Sequence, residues 1–270
     1  MIDPLNSWTS ILKATRFSAA SLLFAALMAG CGSGTLKSIQ PEVSLTGNWS
    51  FTASASGNGS PPLILNAGFT QGSSGAVSAV AHLNGAACLN SASAIALSGS
   101  VSPSNQIALI SQPFQGTTLM LNGTLAPNGK TISNASWSFS GGSCAALGNG
   151  GIIAEDYSQI NGTYTGIFVD SGNNQLAVSA TLTQTIQPDN NGQFQLSGSA
   201  TFPNNPCFTK PIVTNSLVTG SSLSTTYTQG SASITAVGTF NSDATQLTIT
   251  NWQVSGGLCD GDSGTGSLTQ

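Results

Sequence analysis

The sequence predicts an all-β protein built from two tandem, homologous antiparallel meander domains, each with about eight short strands. Three observations support this prediction: strand-like alternation after residue 40, an internal repeat, and two cysteines in each half of the chain after Cys31. Each domain closes into a β-barrel or packs as a β-sandwich, and the residue pattern fits both architectures.

Alternation of apolar and polar residues identifies the strands. In Gln193–Phe202 the even positions are apolar or small, whereas the odd positions are Gln, Ser and Thr; Leu176–Leu182 and Leu119–Leu125 show a similar alternation. Strands of this kind bury one face and expose the other, as antiparallel sheets do. Turn sequences such as Asp189–Gly192 separate them.

An internal repeat divides the chain into two halves. The matching segments lie at nearly constant offsets of 115 to 119 residues: Leu45–Trp49 with Ile160–Tyr164, Cys88 with Cys207, and Ile132–Cys144 with Leu247–Cys259. Within the last match the alternation slips, because Leu247 and Ile249 are odd whereas Trp252 and Val254 are even. The slip predicts a β-bulge beside each of the two tryptophans, Trp137 and Trp252.

The N-terminal segment has the features of an export signal. Lys13 and Arg16 precede a 14-residue apolar run, Phe17–Gly30, which is shorter than the ~20 residues that span a bilayer. Leu27–Cys31 resembles the lipobox of bacterial lipoproteins, which implies that Cys31 is acylated, palmitate being one candidate chain, and becomes the mature N-terminus. In such lipoproteins an Asp directly after the lipidated Cys signals retention in the inner membrane. The residue at that position here is Gly32, which favours the outer membrane. The other interpretation is an ordinary signal peptide with an incidental Cys.

These features define the predicted organisation of the chain. Residues 1–30 form the lipoprotein signal peptide, 31–44 the lipidated Cys and a flexible tether, 45–154 the first β domain and 155–270 the second. With Cys31 assigned to lipid, the repeat selects the pairs Cys88–Cys144 and Cys207–Cys259 among the three pairings that four cysteines allow. Four free thiols or a metal site are the alternatives, although no CxxC spacing supports a metal.

The opening motif of each half suggests a fold family. Gly47-Asn48-Trp49 and Gly162-Thr163-Tyr164, each at the start of about eight meandering strands, resemble the calycin barrels, the lipocalin and avidin group. This resemblance implies barrels whose interiors can hold a small ligand. The chain is also similar to Ser/Thr/Gly-rich bacterial lipoproteins, a resemblance that implies no function.

Composition and residue placement argue against several function classes. Only 5% of the residues are charged, against about 25% in a typical domain, and the formal charge of −4 does not fit nucleic-acid binding. We interpret His82, the single histidine, as a strand-face residue without a catalytic role. Asp260 and Asp262 fit a tight turn better than a calcium site. The sequence therefore predicts no enzyme, no catalytic residue, no cofactor and no metal.

Aromatic residues recur at matching places in the two halves: Trp49, Trp137, Tyr164 and Trp252. They either fill the barrel cores or line a ligand cavity. Two functions follow. The first is a lipid-anchored, exported cell-envelope protein that acts as a non-enzymatic surface, structural or interaction module toward other envelope components. The second is a calycin-like carrier of a small apolar ligand inside one or both barrels. The first half is its better candidate because it has the smaller residues, Ala76, Ala79, Ala81, Ala86 and Ala87.

Overall fold

The computed structural model describes residues 41–53, 62–86, 88, 94–203 and 205–270, with the backbone alone at 214 and 215. The predicted signal peptide, Cys31 and the tether up to residue 40 lie outside the described residues. Within the described ranges, no helix has the length and apolar character needed to cross a membrane.

The first barrel is a closed antiparallel ring with one short strand beside it. Its strands are β1 (Gly47–Ala53), β2 (Leu63–Gln71), β3 (Ala76–Asn84), β4 (Ala94–Val101), β5 (Gln106–Ser111), β6 (Thr118–Leu125), β7 (Thr131–Ser140), β8 (Asn149–Gly151) and β9 (Ile153–Tyr157). Strands β1 to β7 pair in sequence order, and β9 closes the ring by pairing with both β1 and β7. The short β8 pairs with β7.

The second barrel has the same arrangement without the additional short strand. Its strands are β10 (Asn161–Asp170), β11 (Gln175–Gln184), β12 (Phe194–Thr201), β13 (Ile212–Thr219), β14 (Ser222–Gln229), β15 (Ala232–Phe240), β16 (Gln246–Ser255) and β17 (Ser263–Thr269). They pair in sequence order, and β17 pairs with β10 to close the ring.

The all-β class and the tandem eight-stranded meander are thus confirmed, and each domain is a barrel, not a sandwich. One boundary is shifted from the predicted one. Residues 155–157, assigned from the sequence to the second domain, belong to β9 and pair with β1 of the first barrel. Glu155 and Asp156, at the predicted start of the second domain, both lie within the strand that closes the ring of the first.

The predicted bulges are present in both halves. In β16, Thr250 and Asn251 are both exposed between the buried Ile249 and Trp252, and the pairing with β17 shifts there. In β7, Ser133 and Asn134 are likewise both exposed, and the pairing with β6 shifts beside them. The extra residue returns each later tryptophan to the interior, because side chains alternate between the two faces of a strand.

Each barrel carries the predicted disulfide. Cys88 is bonded to Cys144 and Cys207 to Cys259, with Cα–Cα distances of 5.2 and 6.1 Å. In both barrels the second cysteine lies in a short 3-10 helix that follows the bulged strand, Ser143–Leu147 or Gly257–Cys259. The disulfide therefore ties the same two connections of the meander in each barrel.

Hairpins of the second barrel contact the outer face of the first barrel. The side-chain amide of Asn48 in β1 donates to the carbonyl oxygen of Gly220 and accepts from its N–H, both at 2.7 Å. Asn48 is only 3% exposed. Gly220 forms the turn between β13 and β14 with a φ of +56°, a conformation that favours glycine. The amide of Asn48 therefore satisfies both polar groups of a buried turn.

We expect Asn48→Ala to lower the free energy of unfolding by roughly 2–4 kcal/mol, because it leaves a buried N–H and a buried carbonyl without partners. Urea unfolding of the purified protein measures the change. Asn122→Ala, which alters an exposed residue of β6, is the matched control. Equal stability of the two variants would show that the Asn48 contact contributes nothing to folding.

Candidate functional site

The four aromatic residues singled out by the sequence are buried: Trp49, Trp137, Tyr164 and Trp252. In the second barrel, the Trp252 Nε1–H donates to the carbonyl oxygen of Thr265 at 3.1 Å, and the Tyr164 hydroxyl donates to the carbonyl oxygen of Ala244. Trp49 donates to the carbonyl oxygen of Leu45 at 2.9 Å. The Trp137 Nε1–H is buried and has no hydrogen-bond partner among the described residues. All four contribute to barrel packing.

The second barrel contains an interior cavity of about 60 Å³. Side chains from all eight strands line it, and nearly all of them are apolar, such as Phe168, Val178 and Leu247. Tyr164 and Trp252 are not among the lining residues, but the ring of Phe168 stacks on Trp252 with centroids 5.8 Å apart. Tyr164 and Trp252 are therefore neighbours of residues that line the cavity and do not line it themselves. Apolar cavities of this kind stay dry and bind apolar molecules.

The same row of residues crosses the first four strands of both barrels. In the first barrel it is Trp49, Ala67, Ala81 and Ile95, and in the second it is Tyr164, Ala180, Ala200 and Ile212. In each row the two alanines next to the aromatic residue leave space, and the aromatic side chain occupies it. In the first barrel that ring is the larger indole, so the small residues of β3 accommodate Trp49.

A second position explains why the cavity lies in the second barrel. Trp137 is paired with Leu121 in the first barrel, whereas Trp252 is paired with Ala236 in the second. Ala236 lines the cavity, and an alanine in place of a leucine leaves unfilled volume in a core. The sequence favoured the first half as the carrier, whereas the structure places this cavity in the second barrel. Of the alanines behind that expectation, Ala81 lies in the row of Trp49 and Ala76 is exposed.

The cavity wall contains a buried hydroxyl without a partner. Tyr227 of β14 lines the cavity and is 6% exposed, and its hydroxyl has no hydrogen-bond partner among the described residues. Burial raises the pKa of Tyr227 to about 12, because the phenolate is poorly solvated there. The other lining hydroxyls bond to each other: Ser216 donates to Thr225 at 2.6 Å. The cavity therefore has mainly apolar walls, and one of its lining residues carries a buried hydroxyl without a described partner.

His82 joins the two barrels. Its Nε2 lies 2.5 Å from the carbonyl oxygen of Asn191 in the β11–β12 hairpin. It also borders a groove of about 770 Å³ between the first barrel and the outer face of β13 to β15. The imidazole thus contacts a backbone carbonyl across the interface, at a distance from the interior cavity of the second barrel.

Several carboxylates hold turns. Asp170 accepts hydrogen bonds from Asn174 and Gly172, and these contacts, led by the Asn174 side chain, lower its pKa. Asp260 accepts from the Gly256 N–H in the turn after the disulfide. No cluster of three or more His, Cys, Asp and Glu side chains that would suit a metal occurs in the described ranges.

One carboxylate forms an ion pair. Lys130 contacts Asp156 of β9 at 2.6 Å. Burial raises the pKa of Asp156, and the hydrogen bond and charge of Lys130 oppose that shift. The pair lies beside the site where β9 joins β1, so it belongs to ring closure in the first barrel.

No protein-family model and no curated protein matches the sequence. Among solved structures, the chain is similar to a protein of unknown function of the DUF3598 family from Nostoc punctiforme, with 11% sequence identity. The match covers 83% of this chain and 94% of that chain, with a TM-score of 0.24. A similarity at this level assigns no function.

Tyr227 and Ala236 were not singled out by sequence patterns. Both occupy inward positions of alternating strands, where they resemble any other core residue. A signal for Ala236 exists in the repeat, since Leu121 stands at the matching place, but the contrast is informative only when the strand pairing is known.

We expect Tyr227→Phe to remove a titration step near pH 12 from the tyrosinate absorbance of the folded protein. The folded pKa lies above the ordinary value of about 10, so burial of the neutral phenol stabilises the fold below pH ~10. That contribution is lost as the pH rises from about 10 to about 12. The unfolding free energy of the wild type should therefore fall more steeply over this interval than that of the variant.

Tyr157→Phe, in the first barrel, is the matched control and should retain the late step. A wild-type protein in which every tyrosine ionises near pH 10 while still folded would show that the Tyr227 hydroxyl is solvated.

Proposed function

We propose that this protein is a non-enzymatic, lipid-anchored protein of the bacterial cell envelope whose second barrel binds a small, mainly apolar molecule. The observation that carries the proposal is the apolar cavity with the unpartnered, buried hydroxyl of Tyr227. An apolar molecule with one hydrogen-bond acceptor or donor would fill the space and satisfy that hydroxyl. Ligand sites of proteins combine apolar walls with a few polar groups in this way.

The absence of catalysis is part of the proposal. It is supported by the position of His82 at a backbone carbonyl and by the carboxylates that hold turns. The resemblance of the opening motifs to calycin barrels also favours binding, because these barrels hold ligands in their interiors.

A surface module is the second candidate. Ile110 of β5 and Met120 of β6 are paired directly across the outer face of the first barrel, and they are 47% and 40% exposed. An exposed apolar pair favours contact with another envelope component. In this candidate the cavity would be a packing defect, and no small molecule would bind there.

The lipid anchor and the outer-membrane location depend on Cys31 and its lipobox-like context. The two disulfides are consistent with export, because such bonds persist in oxidising compartments. Two or more acyl chains hold a protein firmly at a membrane.

The length dependence of alcohol binding tests the cavity. Using the chain with Cys31→Ser, we expect saturable binding of 1-alkanols, measured by calorimetry. Affinity should rise about fourfold per methylene, since each buried CH₂ contributes ~0.8 kcal/mol, until the cavity is full. Ala236→Leu, which introduces the residue of the first barrel, should weaken binding of the alkanol that binds most tightly to the wild type at least tenfold.

Ala177→Leu alters an exposed residue of β11 and should leave alkanol binding unchanged. If the wild type does not bind alkanols, or if both variants bind them equally well, the cavity is not a ligand site and the surface module is favoured. Urea unfolding of each variant separates loss of binding from loss of folding.

We expect cells grown with labelled palmitate to transfer the label to the wild-type protein and not to Cys31→Ser. The variant should also be released from the membrane fraction, because it lacks the acyl chains. Ser33→Ala, which alters a neighbouring residue, should retain the label. Equal labelling of Cys31→Ser and the wild type would contradict the anchor.

A further inference from the structure

The groove between the barrels is lined by residues of both of them. Asn66, His82 and Asn84 belong to β2 and β3 of the first barrel, and the other lining residues come from the second barrel, chiefly from β13 to β16. The volume of about 770 Å³ lies within the ~300–1,000 Å³ range of small-molecule sites. A molecule bound in the groove would therefore contact both barrels at once.

Two contacts between the barrels hold the walls of the groove in place. The Asn48 side chain bonds to Gly220, which directly follows the lining residue Thr219. His82, itself a lining residue, contacts the carbonyl oxygen of Asn191. The two walls are thus positioned before a ligand binds, and a preorganised site loses less affinity to ordering on binding.

Polar side chains in the groove are available for hydrogen bonding. The side chains of Asn84, Thr226 and Thr239 have no hydrogen-bond partner among the described residues. The hydroxyl of Thr219 is buried and also lacks a described partner. Amides and hydroxyls both donate and accept, so the groove offers both kinds of partner to a ligand.

Two exposed apolar side chains lie among these polar groups. Leu217 of β13 pairs with Ser224 of β14, and Ser224 pairs with Val237 of β15, so the three side chains share the outer face of the barrel. Leu217 is 36% exposed and Val237 is 43% exposed, and both line the groove. The groove thus combines an apolar surface with surrounding amides and hydroxyls.

The groove has little formal charge. None of its lining residues, which all lie in the described ranges, is Asp, Glu, Lys or Arg, and His82 is the one that can ionise. Because a carbonyl oxygen only accepts, the His82 Nε2 that contacts Asn191 carries a proton, and Nδ1 is the acceptor of the neutral ring. An ionised ligand would find no carboxylate, lysine or arginine as a counter-charge among these lining residues.

We infer that the groove binds a neutral oligosaccharide. A pyranose ring has C–H groups on its faces and hydroxyl groups around its edge. The C–H groups can pack on Leu217 and Val237, while the hydroxyls exchange water for the surrounding Asn and Thr side chains. This is a second site, formed by both barrels, and it does not depend on ligand binding in the interior cavity.

Side-chain amide signals in ¹⁵N–¹H NMR spectra test the inference on the chain with Cys31→Ser. The probes are cellotetraose, maltotetraose, β-1,4-mannotetraose and β-1,4-galactotetraose, which are neutral and differ in stereochemistry or linkage. We expect at least one to bind with a dissociation constant below about 10 mM and to shift the amide signals of Asn66, Asn84 and Gln193. The exposed Asn122 and Asn161, which lie outside the groove, should not respond.

One substitution in each barrel tests whether both walls contribute. Asn84→Ala removes an amide of the first barrel and Thr239→Val removes a hydroxyl of the second without changing the shape of the side chain. Each should weaken binding of the probe about threefold or more, because each removes a hydrogen bond to the sugar. Asn122→Ala and Thr183→Val alter exposed residues outside the groove and should leave the affinity unchanged.

Three results would overturn the inference. None of the four oligosaccharides might shift the groove amides, the shifts might be confined to Asn122 or Asn161, or the groove and control variants might bind the probe equally well. An effect of Thr239→Val without one of Asn84→Ala would contradict a site formed by both barrels. Alkanol binding and its response to Ala236→Leu report on the cavity alone, so the failure of either site is seen separately.

Discussion

In each barrel the last strand pairs with the first, and this closure protects a sheet that has almost no charge to protect it. Open sheet edges invite pairing with other chains, and many proteins prevent this with charged side chains, above all lysine. Here only 5% of the residues are charged, so that electrostatic protection is scarce. Pairing of β9 with β1 and of β17 with β10 satisfies the edges directly. The polar surface is then free to consist of Ser, Thr, Asn and Gln.

Closure also makes the interior sensitive to single residues. The number of strands sets the diameter of a barrel, so the side chains must fill a volume that the ring has already fixed. Trp49 and Leu121 fill it in the first barrel, and Tyr164 and Ala236 stand at the matching places in the second. At both places the second barrel has the smaller side chain, and its interior contains the cavity. The repeat thus supplies one scaffold with two different interiors.

Much of this architecture follows from local patterns in the sequence. Alternation and the slip before Trp252 depend on residues close together in the chain, and the cysteine pairs follow from comparing the two halves of the repeat. The strands, bulges and disulfides appear where these patterns place them. The location of the cavity depends on volumes summed across strands, and the alternation is the same for Leu121 and Ala236. The groove depends on Asn48 reaching Gly220, which lies 172 residues away in the chain. No local pattern reports such a contact.

The contact between Asn48 and Gly220 also bears on the order of folding. It joins residues that lie 172 positions apart in the chain, whereas the strands of each meander pair mainly with their neighbours in the sequence. Contacts that close a long stretch of chain cost more loop-closure entropy and form more slowly than local ones. Each barrel is therefore expected to close before the two barrels dock, and Asn48 acts in that last step.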